Sequence, residues 1–162
     1  VEMADPRFAP HEVPVHIPGP RVLDYPLDVG GRQVRITSLS TGTTHTVVFR
    51  DALPEDDEFN VLSPAIETHA VFPDRTSVLW TRVVSRNLLE LRIWERGVGE
   101  TWGCGTGACA AAGAAQLHGT VDQSVRVVSR GGALEVTYRD GDPMVLAGPA
   151  EWVYEGIYPL RS

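Results

Sequence analysis

A cysteine lies in a glycine-rich segment directly before an alanine-rich stretch of the chain. Residues 103–107 read Gly-Cys-Gly-Thr-Gly, and alanines and glycines dominate residues 108–119. Glycines let backbone amides approach a ligand closely, and the N-terminus of a helix attracts anions and favours a thiolate. The segment therefore predicts acid–base chemistry on a small anion, with Cys104 as the reacting group.

The stretch after Cys104 is predicted to form a helix of about three turns. Thr106 is a suitable N-cap residue, and Gly119 is suited to end the helix. Cys109 falls inside this helix among alanines, which indicates a structural role in close packing. For Cys104, the alternative is a buried structural cysteine beside a packing bend. The two cysteines are poorly placed to form a disulfide and match no zinc-binding spacing, so we interpret both as thiols and expect no metal site.

A charged pair lies between a predicted strand and the cysteine segment. Glu95 and Arg96 directly follow the predicted strand over residues 88–94. Such a pair is either a solvated strand edge or part of a binding site, and its spacing alone favours the solvated edge. A zwitterionic amino acid, however, needs a carboxylate that accepts from its ammonium group and amides that bind its carboxylate. The pair and the helix mouth together indicate an amino-acid ligand, and His45 and Glu100 are further candidates.

Length, composition and charge restrict the class of protein. The 162 residues, 43% of them hydrophobic, suffice for a single domain over residues 1–162. A net charge of −7 and a pI near 5.1 argue against a nucleic-acid partner, because nucleic-acid-binding proteins concentrate Lys and Arg. The sequence has no apolar run near the roughly 20 residues that cross a bilayer and no secretory leader. We therefore expect a cytoplasmic protein without membrane contact. Because its first residue is Val1 and not Met, we expect that the chain begins inside a longer reading frame or follows processing.

Periodicity and turn residues predict an α+β fold. Prolines make the first 27 residues extended or irregular, and residues 51–57 are expected to form an acidic loop. Ser63 and Pro64 are a suitable N-cap and first-turn pair for a short helix over residues 65–69. Strands are predicted over residues 32–36, 46–49, 77–84, 88–94, 125–129, 134–138, 145–147 and 152–154, with hairpin turns at 130–132 and 140–142. We expect a mostly antiparallel, curved sheet wrapped around the helix that follows Cys104.

Residues 95–108 resemble the second catalytic motif of the diaminopimelate epimerases. The motif reads Glu-Arg-Gly-x-Gly-Glu-Thr-x-x-Cys-Gly-Thr-Gly-Ala in this chain. The likeness extends over nearly the whole chain, since residues 1–8 resemble the start of that family's second half, residues 62–76 its middle and residues 148–156 its end. The resemblance implies one half of a two-domain fold. Each domain of that fold is a sheet around a central helix, and the active site lies in the cleft between the domains.

The resemblance also implies that this chain carries only part of the site. The family's first domain supplies another cysteine in a Cys-Gly-Asn-Gly setting, and this sequence contains no such motif. An N-terminal domain, or a partner chain such as a second copy in a homodimer, would have to bring the opposing base.

By resemblance, the reaction is inversion of an amino-acid α-carbon, LL- to meso-diaminopimelate, between two cysteine bases and without a cofactor. Cys104 would be one of those bases. Glu95 would accept from the substrate's ammonium group and, with His45, set the protonation near the thiol. The backbone amides of Gly105 and Thr106 would bind the α-carboxylate.

The same resemblance implies that Arg96 binds the carboxylate at the distal end of the substrate. Two positions depart from the family, because Thr43 and Ser77 stand where asparagines are usual. Hydroxyls cannot reproduce the donor and acceptor of an amide at the same reach, so the distal contacts are expected to differ. The alternatives to a diaminopimelate epimerase are a racemase of another amino acid, a non-catalytic amino-acid-binding domain, and a thiol hydrolase or transferase built on Cys104 and His45.

Overall fold

A computed structural model describes residues 1–159 and shows an α+β fold of two helices and nine strands in that part of the chain. The elements are β1 (Val22–Val29), β2 (Arg32–Ser40), β3 (Thr44–Phe49), α1 (Asp56–Glu67), β4 (Ser77–Ser85), β5 (Leu88–Glu95), β6 (Gly99–Thr101), α2 (Gly105–Leu117), β7 (Ser124–Ser129), β8 (Gly132–Thr137) and β9 (Val145–Ala147).

The strands form one mixed sheet. Its order is β1-β2-β3-β4-β5-β7-β8-β9, and the short strand β6 pairs with β5 beside this path. β3 runs parallel to β4, and β5 runs parallel to β7. The other pairings are antiparallel, so the mostly antiparallel sheet predicted from the sequence is confirmed.

Helix α2 is the centre of the fold. Residues 107–115 are all buried, and the helix contacts β2, β3, β4, β5, β7 and β8. Its glycine and alanine surface lets the strands approach closely, which confirms the predicted helix inside a curved sheet. The N-cap is Cys104 rather than the predicted Thr106, so the cysteine itself begins the helix. Gly119 follows the helix with φ +70°, the left-handed conformation expected there.

Helix α1 begins well before the predicted position. It starts at residue 56, and Ser63 and Pro64 lie inside it rather than at its N-terminus. Three acidic residues at positions 56–58 favour the earlier start, because negative side chains stabilise the positive end of a helix. Both the acidic loop over residues 51–57 and the short helix over residues 65–69 were therefore wrong in their boundaries.

Near one end of the chain the extended conformation is confirmed, whereas near the other a predicted strand is wrong. Strand β1 forms within the proline-rich entry segment, which was expected to be extended or irregular, and includes Pro26, which an edge strand tolerates because its outer side needs no ladder hydrogen bond. At the other end, residues 152–154 form no strand, and their side chains are 83–85% exposed. Aromatic and β-branched residues favour a strand, but a strand forms only where a neighbouring strand pairs with it. Within residues 1–159, no helix has the length and apolar character needed to cross a membrane.

Candidate active site

Cys104 lies between strand β6 and helix α2, with its thiol over the first turn of the helix. Its backbone is extended, at φ −147° and ψ 112°. A Cβ atom at Gly107 would lie 3.3 Å from the sulfur and 3.1 Å from Leu79 Cδ2. The absence of a side chain at Gly107 therefore gives the sulfur its place beside the backbone of the first turn.

Three groups contact the thiol. It donates to Glu95 Oε2 at 3.5 Å, and the Thr106 hydroxyl lies 3.4 Å from the sulfur. The backbone N–H of Gly107 also donates to the sulfur. The structure thus brings Cys104, Glu95 and Thr106 together, as the sequence predicted for one end of the site.

The balance of these contacts favours the protonated thiol. Burial raises the pKa of Cys104, and the charge and hydrogen bond of Glu95 raise it further. Hydrogen bonds from Thr106 and Gly107 lower the pKa, but they do not offset the burial. The donors at the helix N-terminus thus lower the pKa of Cys104, as expected, but desolvation and the neighbouring carboxylate outweigh them. The net shift favours the protonated thiol.

Glu95 is held at the end of strand β5 by the adjacent strand β6. Its Oε1 accepts from the Thr101 hydroxyl at 2.6 Å, while Oε2 faces the thiol. Thr101 was not among the residues predicted for the site. The part of the sequence that could have indicated this contact is the Gly99-Glu100-Thr101 segment. Its pairing with β5 brings the Thr101 hydroxyl back over Glu95.

Arg96 hydrogen-bonds to the other residues predicted to contact the distal end of the substrate. Its Nη2 donates to the Thr43 hydroxyl at 3.0 Å, and its backbone N–H donates to the Ser77 hydroxyl at 3.1 Å. Nη1 donates to the carbonyl of Asp74 at 2.9 Å. Among the described residues, no carboxylate lies within ion-pair distance of this guanidinium. Neutral oxygens thus orient the side chain, and its positive charge is available to bind an anion.

His45 lies in strand β3 beside Ser77 and is fully buried. Neither ring nitrogen has a hydrogen-bond partner among the described residues. Burial, with a smaller effect from the charge of Arg96, lowers the pKa of His45 to about 4, so the ring is neutral at physiological pH. The structure shows no hydrogen bond from His45 to Glu95 or Cys104, and its influence on the thiol stays a prediction.

The first turn of α2 presents backbone amides beside the sulfur. Gly105 and Thr106 are the first two residues of the helix, where N–H groups have no partner within the helix. The carbonyl of Thr106 accepts from the Thr41 hydroxyl at 3.0 Å, which fixes this turn against the end of strand β2. These amides can bind an anion at the mouth of the helix.

A buried carboxylate behind the site was missed in the sequence. Glu67, the last residue of α1, is only 5% exposed and accepts from the indole N–H of Trp94 and the backbone N–H of Gly97. These two residues flank Glu95 and Arg96. Only the fold could reveal this contact, because nearly thirty positions separate Glu67 from its partners.

Comparison with known proteins identifies the family of this chain. The family model described as "Diaminopimelate epimerase" matches residues 37–153. The "Diaminopimelate epimerase" of Pelotomaculum thermopropionicum is 42% identical over 165 residues, which cover 100% of this chain and 58% of the relative. The proteins of that name from Magnetococcus marinus and Nitrosomonas europaea are 41% and 40% identical over 96% and 99% of this chain. The chain spans little more than half the length of these relatives. This chain belongs to the diaminopimelate epimerase family.

Proposed function

We propose that this chain contributes one half of the active site of a cofactor-independent amino-acid epimerase that converts LL- to meso-diaminopimelate. The observation that carries the proposal is the Cys104 thiol, which donates to Glu95 at the amide-rich start of helix α2. An acid–base group beside an anion-binding helix terminus suits proton transfer at a carbon next to a carboxylate.

In the proposed step, a base outside this chain removes the α-proton from one face of the substrate. Cys104 gives its proton to the opposite face, so the α-carbon leaves inverted and the sulfur becomes a thiolate. Thr106 and the N–H of Gly107 hydrogen-bond to the sulfur and stabilise the charge it acquires. The opposing base ends protonated, and the pair is ready for the reverse reaction or for exchange with solvent.

The α-proton of an amino acid is very weakly acidic, so the intermediate carbanion needs stabilisation. The amides of Gly105 and Thr106 would bind the α-carboxylate and take up part of the charge that develops there. Glu95 would accept from the retained ammonium group of the substrate. Closure by the other half of the site would exclude water and strengthen these interactions.

Arg96 would bind the distal carboxylate, with Thr43 and Ser77 beside it. The hydroxyls of these two residues already contact Arg96, so they orient the guanidinium as well as bordering the ligand. This arrangement also favours a second candidate, a racemase of another amino acid, because the distal contacts differ from those expected of the family.

The opposing base is proposed to come from an N-terminal domain or from a partner chain, of which a second copy in a homodimer is one form. Activity in amino-acid biosynthesis, lysine biosynthesis in particular, would place the protein in the cytoplasm. We use "complete protein" below for this chain together with the domain or partner that supplies the opposing base.

Deuterium uptake at the α-carbon distinguishes the candidates. The complete protein is incubated in D₂O with diaminopimelate, histidine, glutamate or proline, and uptake is followed by NMR. We expect uptake into diaminopimelate. Uptake confined to another amino acid would favour the racemase. Binding of an amino acid by calorimetry, with no uptake from any of them, would favour the non-catalytic domain.

A further inference from the structure

Glu67 is a buried acidic side chain with three donors. It ends helix α1 and is 5% exposed. The Trp94 indole N–H donates to Oε2 at 2.6 Å, and the Gly97 backbone N–H donates to Oε1 at 2.8 Å. Arg75 completes the set with an ion pair at 3.4 Å, although its own side chain is more than half exposed. A buried carboxylate whose two short contacts are directed at one turn is a fixed anchor for that turn.

The two short contacts lie on either side of the Glu95-Arg96 pair. Trp94 immediately precedes the pair and Gly97 immediately follows it. Gly97 has φ +75°, and the next amide, that of Val98, donates to the carbonyl of Glu95 at 3.0 Å to close a tight turn. Glu67 therefore holds the residues on both sides of the two charged side chains at the end of strand β5.

Glu67 also holds the second loop that contacts Arg96. Its backbone carbonyl accepts from the Thr76 N–H at 3.2 Å, and its carboxylate pairs with Arg75, which has φ +60°. The adjacent Asp74 supplies the carbonyl that accepts from Arg96. One side chain thus connects both loops around the guanidinium.

We propose that Glu67 is a positioning residue that places Glu95 against the Cys104 thiol and Arg96 between its two loops. Among the described residues, no hydrogen bond joins Glu67 to the sulfur, and Glu67 acts through the turn that it anchors. The inference rests on the proposed function only for the roles of Glu95 and Arg96 toward a substrate. The geometric part can be tested without turnover.

The Glu67→Gln variant is the sharpest change. Glutamine has nearly the same shape, but one of its two terminal groups is an NH₂ donor. Whichever way the amide turns, that donor faces either the Trp94 N–H or the Gly97 N–H, so one contact becomes repulsive. The turn then shifts, and the Glu95 carboxylate loses its place beside the thiol.

The readout is the pH profile of Cys104 alkylation by iodoacetamide in the complete protein, with the modified peptide quantified by mass spectrometry. Removing a carboxylate from the thiol lowers the pKa of Cys104, so Glu95→Gln shifts the profile to lower pH. We expect Glu67→Gln to shift it in the same direction. The double variant should shift no further than Glu95→Gln alone, because Glu67 acts through Glu95. Glu90→Gln, on the same strand with a partly exposed side chain paired to Arg82, is the matched control and should leave the profile unchanged.

Two results would overturn the proposal. One is a folded Glu67→Gln variant with the wild-type profile, and the other is a double variant whose shift is the sum of the two single shifts. If Glu67→Gln does not fold, Trp94→Phe decides, since it keeps an aromatic ring and removes only the indole donor. A shift to lower pH in Trp94→Phe supports the proposal, and an unchanged profile contradicts it. If the profiles shift as expected but no amino acid takes up deuterium, the positioning role stands and the proposed function falls.

Discussion

At the scale of single residues, the environment of Cys104 combines groups with opposite effects on its charge. Glu95 and burial favour the thiol, whereas Thr106 and the Gly107 amide favour the thiolate. A group that gives a proton in one direction of a reversible reaction and takes one in the other needs both sets of contacts. The net raised pKa of Cys104 favours the proton-donating state.

His45 should make the stability of the protein depend on pH. The pKa of His45 is about 4 in the fold and 6.5 as its ordinary value, so the unfolded chain binds a proton between these values that the folded chain does not. The folded state therefore loses stability as the pH falls from 7 to 4, by about 3 kcal/mol from this residue.

Urea unfolding of wild type and His45→Leu at pH 7 and pH 4 measures this contribution. Other groups titrate in both proteins, so the difference between the two pH dependences isolates His45. The variant should lose less stability than wild type by about 3 kcal/mol. Equal losses in the two proteins would show that His45 is not buried in its neutral form.

Much of the site could be predicted from the sequence because its residues lie close together along the chain. Glu95, Arg96 and Cys104 fall within one motif, and the structure places Glu95 against Cys104 and Arg96 against Thr43. The contacts of Glu67 could not be predicted from the sequence, because its partners are distant along the chain. A helix end and a strand end had to be placed against each other before that carboxylate could acquire a role.

At the scale of elements, helix α2 and the hairpin of β7 and β8 position the segment before Cys104 from two sides. The Trp102 carbonyl accepts from the Ser129 hydroxyl at 2.8 Å and from the Gly131 N–H at 2.6 Å. A Cβ atom at Gly131 would lie 2.7 Å from that carbonyl oxygen and 3.0 Å from its carbon. Because both atoms belong to the backbone, the hairpin can approach the loop only with glycine at this position.

Gly131→Ala should therefore destabilise the protein by about 1–3 kcal/mol, as overpacking does elsewhere. Gly103→Ala is the matched control on the other side of the same contact, because the nearest atom to its Cβ would be Ser129 Oγ at 4.0 Å. Urea unfolding of both variants measures the difference. Equal effects would mean that the close approach of the hairpin is not what requires glycine.

The elements also show why some boundaries could not be predicted. The Ser63-Pro64 pair is typical of a helix start, yet it lies inside α1, where Ser63 accepts from the buried indole of Trp80 at 2.9 Å. The acidic first turn determines the actual start. Local residue preferences compete, and the tertiary contact of Ser63 becomes visible only once β4 packs against α1.

At the scale of the whole molecule, we propose that the described chain forms one side of a reaction centre. Val98 and Trp102, which lie beside Glu95, Arg96 and Cys104 in sequence, are 74% and 62% exposed. The relatives are nearly twice as long as the segment they share with this chain. These facts fit a site that another domain or chain completes. The fold of this chain could therefore be predicted more fully than the reaction, because the reaction also depends on residues outside this chain.

Stereoinversion by the complete protein shows whether Cys104 is one of the two bases. The rate of conversion of LL-diaminopimelate to the meso isomer is measured for wild type, Cys104→Ala and Cys109→Ala. Cys109 is fully buried in α2, and burial raises its pKa to about 11, so its replacement should leave conversion close to the wild-type rate. Cys104→Ala should lower the rate by at least about 100-fold, the smaller effect expected of an acid–base group. Conversion by Cys104→Ala at the wild-type rate would contradict the account.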